Sequence, residues 1–313
     1  MRVALQLIRG LSNLSQQYQG CVVTIGNFDG VHRGHQALLT NVKARALVRN
    51  VPAVVITFEP QPGEFFARGK SSTPRLMRWR EKFHALAHCD IDAVLVLRFD
   101  EKLAALSAEQ FVKNILCDGL GVQHVIVGDD FRFGQGRQGD FEFLQAAGRQ
   151  HGFTTENMPS VIIAGERVSS TRVRQALQKG EHALVETLLG RPYCMEGRVV
   201  YGDKRGRTIG FPTANIYLHR NLSPVSGVYS VRMHGVSAKS LPGVANVGTR
   251  PTVDGTRSLL EVHLFDFNQD IYKRQVTVEF CEKLRHEKRF DSFDLLKEQI
   301  GLDAAQARDY FKI

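Results

Sequence analysis

The chain has no CxxC pair. Its five cysteines, at positions 21, 89, 117, 194 and 281, are odd in number and widely spaced. That pattern excludes a disulfide framework and a cysteine-bound zinc, and it fits reduced thiols in the cytoplasm. No apolar run reaches the roughly 18 residues that cross a bilayer. The opening stretch MRVALQLIRGL is cut by Arg9 and followed by no small-residue cleavage pattern, so it reads as a first strand and not as a signal peptide. Blocks of like charge are missing too. The formal net charge is +9, which favours anionic partners, but Lys and Arg are spread along the chain, which argues for small phosphorylated ligands over nucleic acid. No internal repeat and no low-complexity segment occurs. Two nucleotide fingerprints are also absent. No GxGxxG follows the first strand, and GEFFARGKSS at 63–72 has five residues between its glycines where a Walker A loop has four. That stretch reads as a polar loop.

Hydrophobic residues make up 43% and charged residues 23% of the 313 residues, an ordinary globular balance. The length suits two domains at roughly 100–200 residues each. In the first part, short Val- and Ile-rich runs (Cys21–Ile25, Ala53–Phe58, Ala93–Arg98, His124–Gly128) alternate with helical patterns (Gly34–Val48, Arg78–Ala87, Ala108–Leu116, Phe141–Gln150). This alternation predicts a parallel sheet of buried strands flanked by helices. Beyond the punctuation at Gly190 and Pro192, strand-like runs follow one another at Met195–Tyr201, Val228–His234, Gly243–Val247, Leu259–Phe265 and Val276–Leu284. They predict a small antiparallel barrel or sandwich. The end turns helical over Ser292–Gln299 and Ala304–Phe311, with Ser292 and Asp294 suited to a helix start. The expected architecture is a Rossmann-like α/β domain over residues 1–186, then a small antiparallel β-barrel domain with C-terminal helices over 187–313.

The strongest chemical signal is IGNFDGVHRGHQALL at 25–39. A buried strand ends at Ile25, a glycine-containing turn follows, and a helix opens near Gly34. Open parallel sheets bind ligands at the carboxyl ends of their strands, and the exposed N–H groups of a helix start attract anions. His32 and His35 are three apart and share one side of the first turn. Two imidazoles there can hold nucleotide phosphates and stabilise charge at a phosphorus under attack. Gly26, Gly30 and Gly34 let a nucleotide approach the backbone. A surface turn with two solvated histidines is the plain alternative; the position directly after a buried strand favours the nucleotide.

Together with ITFEPQP at 56–62, VGDDFRFGQGRQGD at 127–140 and VSSTRVRQAL at 168–177, this string resembles the nucleotidylyltransferase superfamily, and within it the N-terminal module of bacterial FAD synthetases. The resemblance implies an ATP site formed by Gly26, Asn27, Phe28, Asp29, Gly30, His32 and His35. It further implies that Ser169, Ser170, Thr171, Arg172 and Arg174 close over the β- and γ-phosphates. Phe58, Glu59 and Pro60 are expected to border the nucleotide and flavin region. Asp129 and Asp130 can position adenosine or flavin, and Phe131 and Phe133 can meet a flat ring or else pack on their own domain.

The second half carries its own set. GRVVYGDKRGRTIGFPTANI at 197–216 joins a glycine-rich basic loop, with Gly202, Lys204, Gly206, Arg207 and Gly210, to a Thr-Ala-Asn step. Thr213 and Asn215 offer oxygens suited to a hard cation such as Mg²⁺, and two apart on a strand they point to one face, where a metal can bridge ATP phosphates. Glu261, within LLEVHLFDF at 259–267, is either a base for a hydroxyl or an outward-facing strand carboxylate, and alternation alone does not choose. From about residue 190 the chain resembles the riboflavin kinase family, through GDKRGRTIGFPTAN, GVYSV at 227–231, LPGVANVGTRPTV at 241–253 and LEVHLFDFNQDIY at 260–272. That resemblance implies that Thr213 and Asn215 bind Mg-ATP and that Glu261 is the base toward the riboflavin 5′-hydroxyl. Relatives often carry Gly after the last Tyr, where this chain has Lys273.

The two resemblances span nearly the whole chain and imply a bifunctional transferase. One ATP would phosphorylate riboflavin to FMN in the second half, and a second would adenylylate FMN to FAD in the first. Expected partners are these small molecules with Mg²⁺, without nucleic acid or membrane, in a monomer or weak homo-oligomer. An adenylyltransferase with another acceptor has no reason to carry the second half, and a nucleic-acid-binding protein explains neither site. A flavin sensor that has lost catalysis sits poorly with the intact candidate residues. His84, His88 and Cys89 read as packing or surface on a helix rather than as a metal site.

Overall fold

The computed structural model describes residues 4–67, 73–201, 210–220, 222–252 and 255–313, with the backbone alone described at 249–252 and 255–257. The chain packs as two compact units, one of Met1–Thr73 with Lys82–Ser169 and one of Pro74–Glu81 with Ser170–Ile313.

In the first unit β1 (Gln6–Arg9), β2 (Val22–Ile25), β3 (Ala53–Glu59), β4 (Ala93–Arg98), β5 (His124–Gly128) and β6 (Thr154–Met158) form a parallel sheet in the order β1-β4-β3-β2-β5-β6. Helices lie between the strands in sequence: α1 (Arg33–Arg49), α2 (Pro62–Ala67), α3 (Trp79–Ala87), α4 (Glu101–Ala104), α5 (Ala108–Phe111) and α6 (Phe141–His151). Val22, Val23, Val54, Val55, Ile56, Val94, Leu95, Val125 and Ile126 are wholly buried, as strands covered on both faces require. The strand order turns at β2, with β3 on one side of it and β5 on the other. That switch point opens a crevice at the carboxyl ends of the strands.

Two local expectations are corrected here. The stretch expected to be a polar loop at 63–72 is helical as far as Ala67. Pro62 is tolerated in a first helical turn, and Glu64 accepts a hydrogen bond from the Gln61 N–H at 3.1 Å; residues 68–72 lie outside the described residues. The helix expected over 108–116 starts on a capping box between Ser107 and Gln110, but beyond Phe111 it widens into π-helical turns over Val112–Cys117. Val112, Ile115 and Leu116 stay buried there, so the hydrophobic pattern does not register the change of pitch.

After a two-strand ribbon, β7 (Ile162–Ile163) and β8 (Glu166–Arg167), the second unit begins with α7 (Ser170–Lys179) and α8 (His182–Leu189). Helix α8 stops at Gly190 in the left-handed conformation, φ 73°. The strands β9 (Cys194–Val200), β10 (Ala214–Tyr217), β11 (Gly227–His234), β12 (Leu241–Thr252), β13 (Gly255–Leu264) and β14 (Gln275–Arg285) close into an antiparallel barrel, β10-β13-β12-β11-β14-β9. Met195, Val199, Ile216, Val231, Leu260, Val262, Val278 and Phe280 are among its buried positions. Lys273 adopts φ 66°, the region that favours glycine. The two helical runs expected at the end form one helix, α9 (Phe293–Phe311). Its middle is anchored where buried Asp303 accepts from Arg285 Nε and Nη2 at 2.8 and 2.7 Å and from Gln299 Nε2 at 3.0 Å.

The segment Pro74–Glu81 is held in the second unit by a buried ion pair. Arg220 and Glu81 have side chains 3% and 4% exposed. The guanidinium also donates to the Arg75 carbonyl at 2.8 Å, and Glu81 accepts from the N–H groups of Arg78 and Glu196. Removing one member leaves an uncompensated charge in low dielectric. Arg220→Ala is therefore expected to lower unfolding free energy by about 3–5 kcal/mol, read as a shifted denaturant midpoint.

His182 gives the barrel unit an acid sensitivity. Both ring nitrogens are shielded without a protein partner, and the ring packs edge-on against Tyr229 at 5.6 Å. Burial first, and the Lys283 ammonium second, depress its pKa from 6.5 to about 4. The unfolded chain takes up this proton below pH 6.5 and the folded chain does not, so stability falls as pH drops through the window from 6.5 to about 4. The loss is up to about 3 kcal/mol. In urea titrations across that window, His182→Phe is expected to flatten this part of the slope.

Candidate active sites

The first site is built on the turn from β2 into α1. His32 is the N-cap of α1, and its Nδ1 accepts from the His35 N–H at 3.3 Å. In the neutral ring the proton therefore sits on Nε2. The His32 and His35 rings stack with centroids 3.7 Å apart and 15° between planes, and Phe28 leans on His35 at 5.1 Å. The turn that achieves this is strained: Phe28, Gly30 and Val31 have φ of 48°, 87° and 40°. For Phe and β-branched Val such angles cost on the order of 1–3 kcal/mol each. A β-carbon on Gly34 would stand 3.2 Å from the His32 ring, and one on Gly26 would stand 3.2 Å from the Phe28 ring. The glycines thus make room for the aromatic stack. Asp29 and His32 are 3% and 6% exposed while Asn27 faces solvent.

His35 is half-buried, its Nδ1 is shielded without a partner, and its pKa lies well below the ordinary histidine value. Desolvation is the main cause, followed by His32 and the Lys82 ammonium. Lys82 is wholly buried on α3. His35 is accordingly neutral at neutral pH and donates from one nitrogen only.

The β3 and β5 loops leave the strands on either side of β2. After β3, Phe58 packs edge-on against Phe99 at 5.8 Å, and the Glu59–Pro60 bond is cis. After β5, Asp129 accepts from Ser160 Oγ at 3.0 Å, and Arg167 reaches Asp129 at 3.4 Å and Asp130 at 2.7 Å. Phe133 is 7% exposed and belongs to the hydrophobic core, with Phe131 stacked on it at 5.3 Å. Phe133 is thus a packing residue, and one face of Phe131 is committed to the same packing. Ser169 closes the first unit, and Ser170, Thr171, Arg172 and Arg174 open α7 in the second. Arg174 Nε donates to the Pro74 carbonyl at 2.7 Å.

In the barrel, Asn215 on β10 lies directly opposite Glu261 on β13. Ile216, Leu260 and Val262 point inward, so Asn215 and Glu261 share the outer face, both half-buried. Thr213 stands one residue before β10, not within it. Its approach is pinned by His263, whose Nδ1 donates to the Pro212 carbonyl at 2.9 Å and whose ring packs against Phe211 at 5.3 Å. Gly202, Lys204, Gly206 and Arg207 lie outside the described residues.

Residues 14–172 match the FAD synthetase family and residues 189–311 the riboflavin kinase family. Proteins described as bifunctional riboflavin kinase/FMN adenylyltransferase are similar over essentially the whole length. That of Escherichia coli K12 is 54% identical, covering 98% of both chains, and that of Haemophilus influenzae is 49% identical, covering 98% of this chain and 99% of its own. The chain belongs to the bifunctional riboflavin kinase/FMN adenylyltransferase family. A crystal structure described as a macrolide-efflux protein from Streptococcus pneumoniae shares the fold at a TM-score of 0.80 and 31% identity, covering 98% of this chain and 99% of that one. Among the described residues no helix is long and apolar enough to cross a membrane.

Three side chains that the fold brings beside the candidate residues were not singled out in the sequence: Lys82 near His35, Arg167 at Asp129 and Asp130, and His263 at Pro212. A lone polar side chain in an amphipathic helix, on a two-residue ribbon or within a strand run gives no signal until the fold supplies its neighbour. Among the described residues no group of three or more His, Cys, Asp or Glu is gathered to hold a metal. His84 and His88 are exposed, and Cys89 Sγ lies 3.6 Å from the Ala85 carbonyl.

Proposed function

We propose how the two activities are divided among these residues. The chain is a bifunctional transferase that phosphorylates riboflavin to FMN with ATP and adenylylates FMN to FAD with a second ATP, releasing pyrophosphate. Residues 1–186 are read as the adenylyltransferase and 187–313 as the kinase, although α7 and α8 pack with the barrel unit.

In the kinase the riboflavin 5′-oxygen attacks the γ-phosphorus of ATP, the bond from that phosphorus to the β–γ bridging oxygen breaks, and ADP leaves. Glu261 receives the hydroxyl proton. Asn215 and Thr213 hold the nucleotide side, with Gly202, Lys204, Gly206 and Arg207 as further phosphate contacts by the family motif. The donor set, a hydroxyl and an amide oxygen beside a carboxylate, suits a hard oxygen-seeking ion such as Mg²⁺. Bound there, Mg²⁺ would neutralise phosphate charge. The observation that carries this reading is the register of Asn215 against Glu261.

In the adenylyltransferase the FMN phosphate attacks the α-phosphorus of ATP. The nucleophile is already an anion, so the step needs positioning and charge stabilisation rather than a strong base. His32 and His35 act as hydrogen-bond donors at the start of α1, His35 in its neutral form, where backbone N–H groups add to the field. Gly26, Asn27, Phe28, Asp29 and Gly30 line the approach. Ser169, Ser170, Thr171, Arg172 and Arg174 are phosphate donors by the family motif, the two guanidinium groups stabilising charge at the phosphorus. Phe58, Pro60, Asp130 and the remaining face of Phe131 border the flavin. The five thiols, none in a disulfide, support a reducing compartment, the cytoplasm.

His35→Ala is expected to lower FAD formation by about 100-fold or more, a loss of roughly 3 kcal/mol in transition-state stabilisation, while FMN accumulates. Glu261→Ala is expected to stop FMN formation while FMN supplied directly still becomes FAD. Chromatographic separation of FMN and FAD reads both, and loss of both products in both variants contradicts two separate sites.

A further inference from the structure

The row that carries Glu261 has a third member. On β12, Asn246 lies directly opposite Glu261, as Asn215 does on β10, so the carboxylate has an amide on each side. All three face outward: Ala245 and Val247 are each 1% exposed, as is Val262, while Ile216 and Leu260 are wholly buried. Directly opposed residues hold their β-carbons about 4.5–5.5 Å apart, so the three heads lie within reach of one small molecule. The polar track continues along β12. At Gly248, the next outward position, the Glu287 carboxylate fills the space a β-carbon would take, and Asn246 Nδ2 stands 3.5 Å from the same point.

We infer that Asn246 is the acceptor-side residue of the kinase site and binds the polyol chain of the flavin. This rests on the reading of Glu261 as base and of Asn215 on the nucleotide side. In-line transfer places donor and acceptor on opposite sides of the phosphoryl group. Asn215 marks the donor side of Glu261, and the acceptor chain then runs on the β12 side. A polyol presents hydroxyls that both donate and accept. The Asn246 amide does both as well, and the Glu287 carboxylate accepts. The assignment makes Asn246 a selector for hydroxylated chains over plain alkyl chains.

The test measures kinase kinetics for the full-length protein, Asn246→Leu and the smaller Asn246→Ser. Each is assayed with riboflavin and with a flavin whose chain has the same length and terminal hydroxyl but no internal hydroxyls. Conversion of supplied FMN to FAD and the thermal melt report an intact fold. The wild type is expected to prefer riboflavin by roughly 10-fold or more in kcat/KM. Asn246→Leu is expected to lose that preference, with the KM for ATP unchanged and little further loss on the analogue; Asn246→Ser falls between. Equal losses on both acceptors, a raised KM for ATP, or retained preference in a folded Asn246→Leu each overturn the inference. Glu261→Gln in the same assay separates the two layers. Retained turnover there removes the base reading and this assignment with it, whereas an inactive Glu261→Gln beside an unchanged Asn246→Leu removes this assignment alone.

Discussion

Burial dictates where this chain places its chemistry. The central strands of the parallel sheet are buried on both faces by apolar side chains, and the sheet's carboxyl edge is where backbone and side chains open toward a ligand. The loops after β2, β3 and β5 emerge at that edge from three adjacent strands. In the second unit the same constraint takes another form. The barrel closes on itself, its interior positions are apolar, and every second side chain turns outward. Asn215, Glu261 and Asn246 fall on the outward phase of three neighbouring strands. Their alignment follows from register and needs no dedicated contact.

Electrostatics at the adenylyltransferase turn follows from the same burial. A histidine at a helix N-terminus already lies where positive charge is disfavoured. Stacking it on a second imidazole, shielding its nitrogen and burying a lysine nearby push it further toward the neutral form. The site thus offers hydrogen-bond donors and helix N–H groups rather than paired imidazolium charges. The strained angles at Phe28 and Val31 keep the stack in place, and the glycines at 26 and 34 provide the space it needs.

The kinase unit depends on tethers that are distant in sequence. Arg220 and Glu81, far apart along the chain, are one buried pair within it, and His263 fixes the Pro212 carbonyl just ahead of Thr213. The first holds a segment from the N-terminal half against barrel residues of its own unit. The second sets where a non-strand residue meets a strand-borne site.

Much of this was legible in the amino-acid order. Runs such as Ala93–Arg98 and His124–Gly128 coincide with the observed strands, because a buried parallel strand is a short, uniformly apolar run. The His32/His35 pair was visible through its helical spacing, and the Thr213, Asn215 and Glu261 set through the family resemblance. The helix at 62–67, the π-helical turns after Phe111 and the unbroken C-terminal helix were not, because short polar segments and changes of helical pitch leave the hydrophobic pattern unaltered. Alternation left Glu261 undecided between a catalytic carboxylate and a solvated one. The sequence by itself determined most of the strands and long helices and the residues available for chemistry, since these follow from periodicity and composition. Only the tertiary structure decided which loops share an edge, that Asn246 flanks Glu261, that Phe133 belongs to the core, and that His35 is neutral. Those depend on strand order, register and desolvation, which arise between residues far apart in the chain.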